Sequence, residues 1–164
     1  MRPDMRPRSW LGLATFGAIT AGAALFGSIA TRKRVRGAWY TIALRKPPWQ
    51  PPRAAFGPVW TSLYALIAAS GWRVWEAPPS PSRSRALALW AGQLAMNAAW
   101  PWLFFGARSP RLGLAGMGVL LPAIGAYANE ARRVDPGAAW MVAPYLGWST
   151  FAAALNAEIV HRNW

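Results

Sequence analysis

Five long stretches almost free of charge set the strongest limit on what this chain can become. They lie within residues 10–30, 54–75, 86–105, 112–129 and 138–160, and the only charged residues among them are Arg73 and Glu158. A helix of about 20 residues rises roughly 1.5 Å per residue, so each stretch matches a hydrocarbon core about 30 Å thick. Membrane β-strands need only about 10 residues and alternate polar with apolar, a pattern none of the five follows. The sequence therefore predicts an all-α membrane protein, a bundle of five transmembrane helices forming a single domain over 1–164.

Composition agrees, because 54% of the 164 residues are apolar and only 14% are charged. The formal charge of +13 would point to nucleic acid in a soluble chain. Here the Lys and Arg residues sit almost wholly between the apolar runs, where they meet anionic headgroups and set topology. Membrane lipid is the expected partner, and nucleic acid is not. With no cysteine there is neither a disulfide framework nor a thiolate metal site.

Arg2, Arg6 and Arg8 precede an apolar run ending in Ser28-Ile29-Ala30, which resembles a signal-peptidase site. The alternatives are a cleaved signal and a retained first helix. The run exceeds the usual 7 to 15 residues of a signal core (approximately), which favours retention. Five spans put the termini on opposite sides of the membrane. The face with the N-terminus, Arg73, Arg83, Arg85, Arg132 and Arg133 holds eight Lys and Arg; the face with the first loop, Arg108, Arg111 and Arg162 holds ten. The dense cluster Arg32, Lys33, Arg34, Arg36, Arg45, Lys46 and Arg53 directs the first-loop face to the cytoplasm.

The first loop, 31–53, carries Trp39, Tyr40 and Trp49 with Pro47, Pro48, Pro51 and Pro52, too aromatic for a solvated linker. Proline fixes φ and removes a donor, so this is read as a stiff non-helical lid over one end of the bundle. Small residues recur at four-residue spacing in helix one (Ala14, Ala18, Gly22) and in helix three (Ala91, Ala95, Ala99, with Ala88 and Gly92 beside them). Such stripes let backbones approach closely, either within the chain or at a dimer seam.

Conventional catalytic constellations are missing. His161 is the sole histidine and has no second ligand in reach, so no metal site is expected. Asp4, Glu76, Glu130, Asp135 and Glu158 fall at helix ends or loops, with Arg162 four residues after Glu158 and able to pair with it. Gln93 and Asn97 share one face of helix three, and Asn156 lies on helix five. Unpaired amides in hydrocarbon cost several kcal/mol, so all three should face inward, as interhelical bonds or as pocket lining. An aromatic belt at headgroup level accounts for Trp10, Trp72, Trp75, Trp140 and Trp164. It leaves Trp60, Trp100 and Trp148 within helices, and Trp39 and Trp49 on the loop. Large flat rings with a few amides suit a flat, mostly apolar ligand such as a porphyrin or a sterol.

The runs WYTIALRKPPWQPP (39–52), FGPVWTSLY (56–64), QLAMNAAW (93–100), LFFGARSP (103–110) and PYLGWSTFAAALN (144–156) resemble, in order and spacing, the TspO/MBR family of tryptophan-rich sensory and translocator proteins. The resemblance implies a dimeric five-helix bundle with a pocket closed by the first loop. Implied ligands are protoporphyrin IX and related tetrapyrroles, with sterols in animal members and no required cofactor. Implied roles are transport, stress-linked regulation, and a light-dependent porphyrin breakdown that would employ Trp60 and Trp148. Carried over by position, Trp39, Tyr40, Pro47, Pro48 and Trp49 belong to the lid. Trp60, Asn97, Trp100, Trp148, Ala152, Leu155 and Asn156 line the pocket.

Departures bear on this expectation. Pro101 follows Trp100, which predicts a kink that would shift the helix-three seam. Helix four has Gly116 and Pro122 and no acid in its first half. Ala157 stands where the animal sterol motif has tyrosine, which argues against cholesterol. Looser matches to the sterol pattern occur at Val35-Tyr40-Arg45 and Leu121-Tyr127-Arg132.

Overall fold

A computed structural model describes residues 8–164, with side-chain surroundings from residue 10 onward. Arg2, Arg6 and the side chain of Arg8, used above for the signal and topology readings, and Asp4 of the acidic residues lie outside the described residues. The described chain forms six α-helices: α1 (Arg8–Arg32), α2 (Arg53–Glu76), α3 (Pro81–Pro101), α4 (Pro110–Val134), α5 (Pro136–Met141) and α6 (Ala143–Asn163). Five of them run 21 to 25 residues.

Two helical spans, Trp10–Arg36 and Pro110–Val134, are long and apolar enough to cross a membrane by length and composition alone. Only 22% and 33% of their apolar windows are buried inside the bundle, so most of that surface faces outward, unlike a soluble core helix. Leu11, Ile19, Leu25, Phe26 and Ile29 are all exposed on α1.

The expected fifth helix, 138–160, is instead two. Pro144 has no N–H to bond the Trp140 carbonyl and its ring would clash there, so the helix breaks at Val142 and restarts. Asp135 closes the preceding junction. Its carboxylate caps α5 by accepting from the amides of Gly137 and Ala138, at 2.8 and 3.3 Å, and pairs with Arg73 of α2 at 2.8 Å. Helix α4 consequently continues to Val134, beyond the expected end at 129. Between α2 and α3, Ser80 caps α3, and Arg83 donates two hydrogen bonds to the Trp75 carbonyl while lying over its ring.

At Pro101 the α-helical register gives way to a π-turn over Trp102–Gly106, closed by Ala107 N–H donating to Trp102 O at 2.8 Å. The expected irregularity is there, but the small-residue stripe lies before it. Ala88, Ala91, Gly92 and Ala95 are exposed, Ala99 is half-buried, and a Cβ on Gly92 would meet nothing within 4 Å. Ala14, Ala18 and Gly22 of α1 are exposed too, so intrachain packing accounts for neither stripe.

The first loop is not wholly non-helical. It makes a 3-10 turn over Arg34–Arg36 and a π-turn over Trp39–Ala43 before the prolines enforce an extended course. The reason is that the prolines begin only at Pro47, leaving every donor from Val35 to Lys46 free to turn.

The main core packs α1 against α2 and α3, and α4 against α3 and α6. Phe16, Leu63, Ile67, Trp90, Met117, Leu120, Ile124, Tyr127 and Tyr145 are buried in it. A Ser70–Tyr127 hydroxyl bond of 2.6 Å, with Ser70 donating to Ala138 O at 2.7 Å, ties α2, α4 and α5 together. Helices α2 and α6 barely touch directly, and aromatic side chains fill the interval between them.

Candidate functional site

Rows of rings on α2 and α6 face each other. Phe56, Trp60 and Tyr64 recur at four-residue spacing and so line one face of α2. Tyr145, Trp148 and Ala152, three and four residues apart, share one face of α6. The helices run antiparallel, and Phe56 meets Trp148 edge-on at 5.7 Å while Trp60 meets Tyr145 at 6.3 Å. Trp60 also lies 5.5 Å from Tyr64. Trp60, with Tyr64 and Tyr145, and Trp148, with Phe56 and Phe151, thus form two ring groups between the same two helices, both packed against the main core.

Asn97 joins the Trp60 group from α3. Its Oδ1 accepts from the Tyr64 hydroxyl at 2.7 Å and its Nδ2 donates to the Tyr145 hydroxyl at 3.0 Å, so one buried amide joins three helices. Gln93 and Asn156 are also buried, as their chemistry requires. Gln93 Nε2 donates within its own helix to Trp90 O, and Asn156 Nδ2 to Pro110 O of α4 at 2.7 Å. Several buried polar atoms have no protein partner among the described residues, including Trp148 Nε1, Ser149 Oγ, Gln93 Oε1 and Asn156 Oδ1. The Trp148 indole N–H is thus a buried donor left without a partner.

Above these groups the first loop runs alongside α6. Asn163 near the end of α6 grips the Arg45 backbone at both ends, accepting from Arg45 N at 3.0 Å and donating to Arg45 O at 2.9 Å. Trp49 meets Phe151 at 5.7 Å. These anchor points are twelve residues apart on α6, about 18 Å of helix. The loop thus lies against α6 at both points. Tyr40 is buried between Phe104 and Phe105, with Lys46 Nζ 4.6 Å from its ring and donating to its carbonyl. Trp39 is edge-on to Phe104 at 6.0 Å, Pro47 is buried, and Pro48 and Trp49 are exposed.

Trp100 stands apart from Trp60 and Trp148. It stacks on Phe104 at 5.2 Å and donates to Gly113 O at 2.9 Å, which joins the α3 end to α4. Leu155 packs with Tyr40, Phe104 and Phe105 in a second, smaller core, and Ala152 is half-buried beside the first. Of the belt tryptophans, Trp10, Trp75, Trp140 and Trp164 are exposed, whereas Trp72 tucks against Gly12 of α1. Glu158 and Arg162 pair at 2.7 Å. Tyr127 and Tyr40, central to the two loose sterol patterns, are both buried, so neither pattern presents its ring at the surface.

Tyr64, Tyr145, Phe56 and Phe151 were not singled out from sequence, although each lies three or four residues from a tryptophan that was. That spacing was the available signal.

The TspO/MBR family matches residues 15–162. The chain belongs to the TspO/MBR family. It is 42% identical to the translocator protein of Ovis aries over 130 residues, 77% of this chain and 73% of that one. It is 38% identical to the tryptophan-rich sensory protein of Cereibacter sphaeroides over 126 residues, 77% of each. It is 36% identical to the tryptophan-rich protein TspO of Archaeoglobus fulgidus over 142 residues, 84% of this chain and 87% of that one. TspO/MBR membership, with the two outward-facing apolar spans, makes this an integral membrane protein with a ligand-binding or transport-type role.

Proposed function

We propose that this chain binds tetrapyrroles of the protoporphyrin IX type inside the bundle and serves in their transport or stress-linked regulation. The observation that carries the reading is the pair of facing rows, Phe56–Trp60–Tyr64 and Tyr145–Trp148–Phe151, with the Trp148 N–H left without a partner. Flat rings gain by stacking and by burying large apolar area, and a few fixed polar atoms orient them. In this reading the five long helices all cross the bilayer. Loop 31–53 is the movable cover, held by Asn163 and resting on Leu155 and Phe151, and its basic cluster faces the cytoplasm. The exposed stripe Ala88, Ala91, Gly92 and Ala95, continued by Ala99, is the seam with a second copy.

Equilibrium titration of protoporphyrin IX, followed in the porphyrin absorption band, tests the site. Saturable binding is expected in the wild type. The double variant Trp60→Phe and Trp148→Phe, which keeps a ring at each position, should bind roughly tenfold more weakly through lost area and the lost N–H. Equal affinity in the two proteins would refute the site. Illumination of the same samples separates binding from breakdown, since a new absorbing product formed with turnover would add enzymatic oxidation to the reading.

A further inference from the structure

A cleft of about 340 Å³ opens at the first-loop end of α1, lined by Lys33, Arg34, Gly37, Ala38, Trp39 and Arg108. Three cationic residues line it; Arg34 Nη1 donates to Ala30 O at 3.3 Å, and none of the three pairs with a carboxylate among the described residues, where the ion pairs are those of Arg73, Arg85, Arg133 and Arg162. Like charges around one cleft repel, and an anion between them relieves the repulsion. Arg108 also holds a left-handed backbone with φ of 52°, a conformation costly for a residue with a side chain.

The surface below the cleft is apolar. Ile29 lies four residues after Leu25 and three after Phe26, which puts all three on one face of α1 shortly before Lys33. They are 62%, 59% and 51% exposed. Phe26 packs on Trp102 at 5.3 Å, and Arg34 lies over that same indole at 5.8 Å, so cation, ring and aliphatic surface follow one another down the helix.

We propose that this cleft binds the headgroup of an anionic phospholipid, its phosphodiester on Lys33, Arg34 and Arg108 and an acyl chain along Leu25, Phe26 and Ile29. Charge complementarity selects an anion, and the apolar face beneath selects one that carries chains. Trp39 forms one wall, so an occupied cleft would also brace the first loop. The inference goes beyond the tetrapyrrole reading and does not rest on it.

The test uses the full chain purified in nonionic detergent, incubated with limiting phosphatidylglycerol or phosphatidylcholine of identical acyl chains, with bound lipid counted by native mass spectrometry. The expected result is a preference for phosphatidylglycerol of roughly an order of magnitude, given the usual attraction per basic residue near an anionic surface. Lys33→Gln with Arg108→Asn should abolish it, asparagine being chosen because it tolerates left-handed backbone. Lys33→Arg with Arg108→Lys should keep it. Should the first double variant misfold, Lys33→Gln alone is expected to cut the preference severalfold. Equal retention of both lipids by the wild type, or an unchanged preference after the charges are removed, would overturn the proposal. Glycerol 1-phosphate at matched concentration should not displace the lipid; displacement would assign the cleft to a soluble phosphate and overturn the lipid assignment. Lipid counting needs no porphyrin, so this result stands apart from that of the interior site.

Discussion

Replacing Asn97 by leucine keeps the approximate volume of the side chain while deleting both bonds that join α2 and α6 through α3. The Tyr64 hydroxyl loses its acceptor at 2.7 Å and the Tyr145 hydroxyl its donor at 3.0 Å. Interhelical bonds in membranes contribute about 0.6 kcal/mol each, and leaving a buried hydroxyl unpaired costs about 1–3 kcal/mol. The substitution should therefore destabilise the bundle by about 1–3 kcal/mol. A double-mutant cycle isolates the pair, read by reversible unfolding in mixed micelles. Tyr64→Phe should cost about 0.6 kcal/mol or more in the wild type and be neutral to stabilising in Asn97→Leu, because there it removes a hydroxyl already left unpaired. An equal cost in both backgrounds would refute the view that Asn97 holds Tyr64.

Three further outcomes follow from the same packing. A Cβ on Gly71 would lie 2.5 Å from Trp90 Nε1 and 2.7 Å from Phe16 Cδ1, so Gly71→Ala should lower stability by about 1–3 kcal/mol in thermal unfolding, while Gly147→Ala, in open space, should not. The Asp135 carboxyl is held below its ordinary range chiefly by the hydrogen bond from Arg73, with help from the Ala138 and Gly137 amides and against the opposing effect of burial. Its contribution is present above the unfolded carboxyl value near about 4 and is lost as pH falls through the lower folded value. Unfolding scans from pH 6 to roughly pH 2 should show that decline, small because Arg73 is 41% exposed, and Asp135→Asn should flatten it. Asn163→Leu removes both bonds to the Arg45 backbone, and faster hydrogen exchange at the Arg45 amide should report a loosened loop.

The long helices were legible because uncharged length is a property of the chain itself. Their ends were less so. Residues 130–134 read as loop because they are charged, yet Glu130 bonds both Arg85 and Arg133 and the helix proceeds until Asp135 caps the next one. The break at Val142 was written in Pro144 and overlooked inside an apolar run. Inward placement of Gln93, Asn97 and Asn156 followed from the cost of burying unpaired amides, whereas their partners did not. Which hydroxyl Asn97 meets depends on how α2 and α6 are rotated about their axes, a matter of packing among three helices that no local spacing encodes. The same holds for Trp100, which is an in-helix tryptophan like Trp60 but turns toward α4 and bonds Gly113. Exposure of the helix-three stripe likewise emerges only once α1 and α4 have taken the other faces of α3.

The position of the bound ligand tests the central claim most directly. Anomalous scattering from zinc protoporphyrin IX in crystals of this protein would locate the metal without reliance on quenching or on variants. The account predicts one peak per chain between α2 and α6, in ring contact with Trp60 and Trp148. A peak at the cleft of Lys33, Arg34 and Arg108, or among the exposed tryptophans at the helix ends, with none between the two rows, would contradict it.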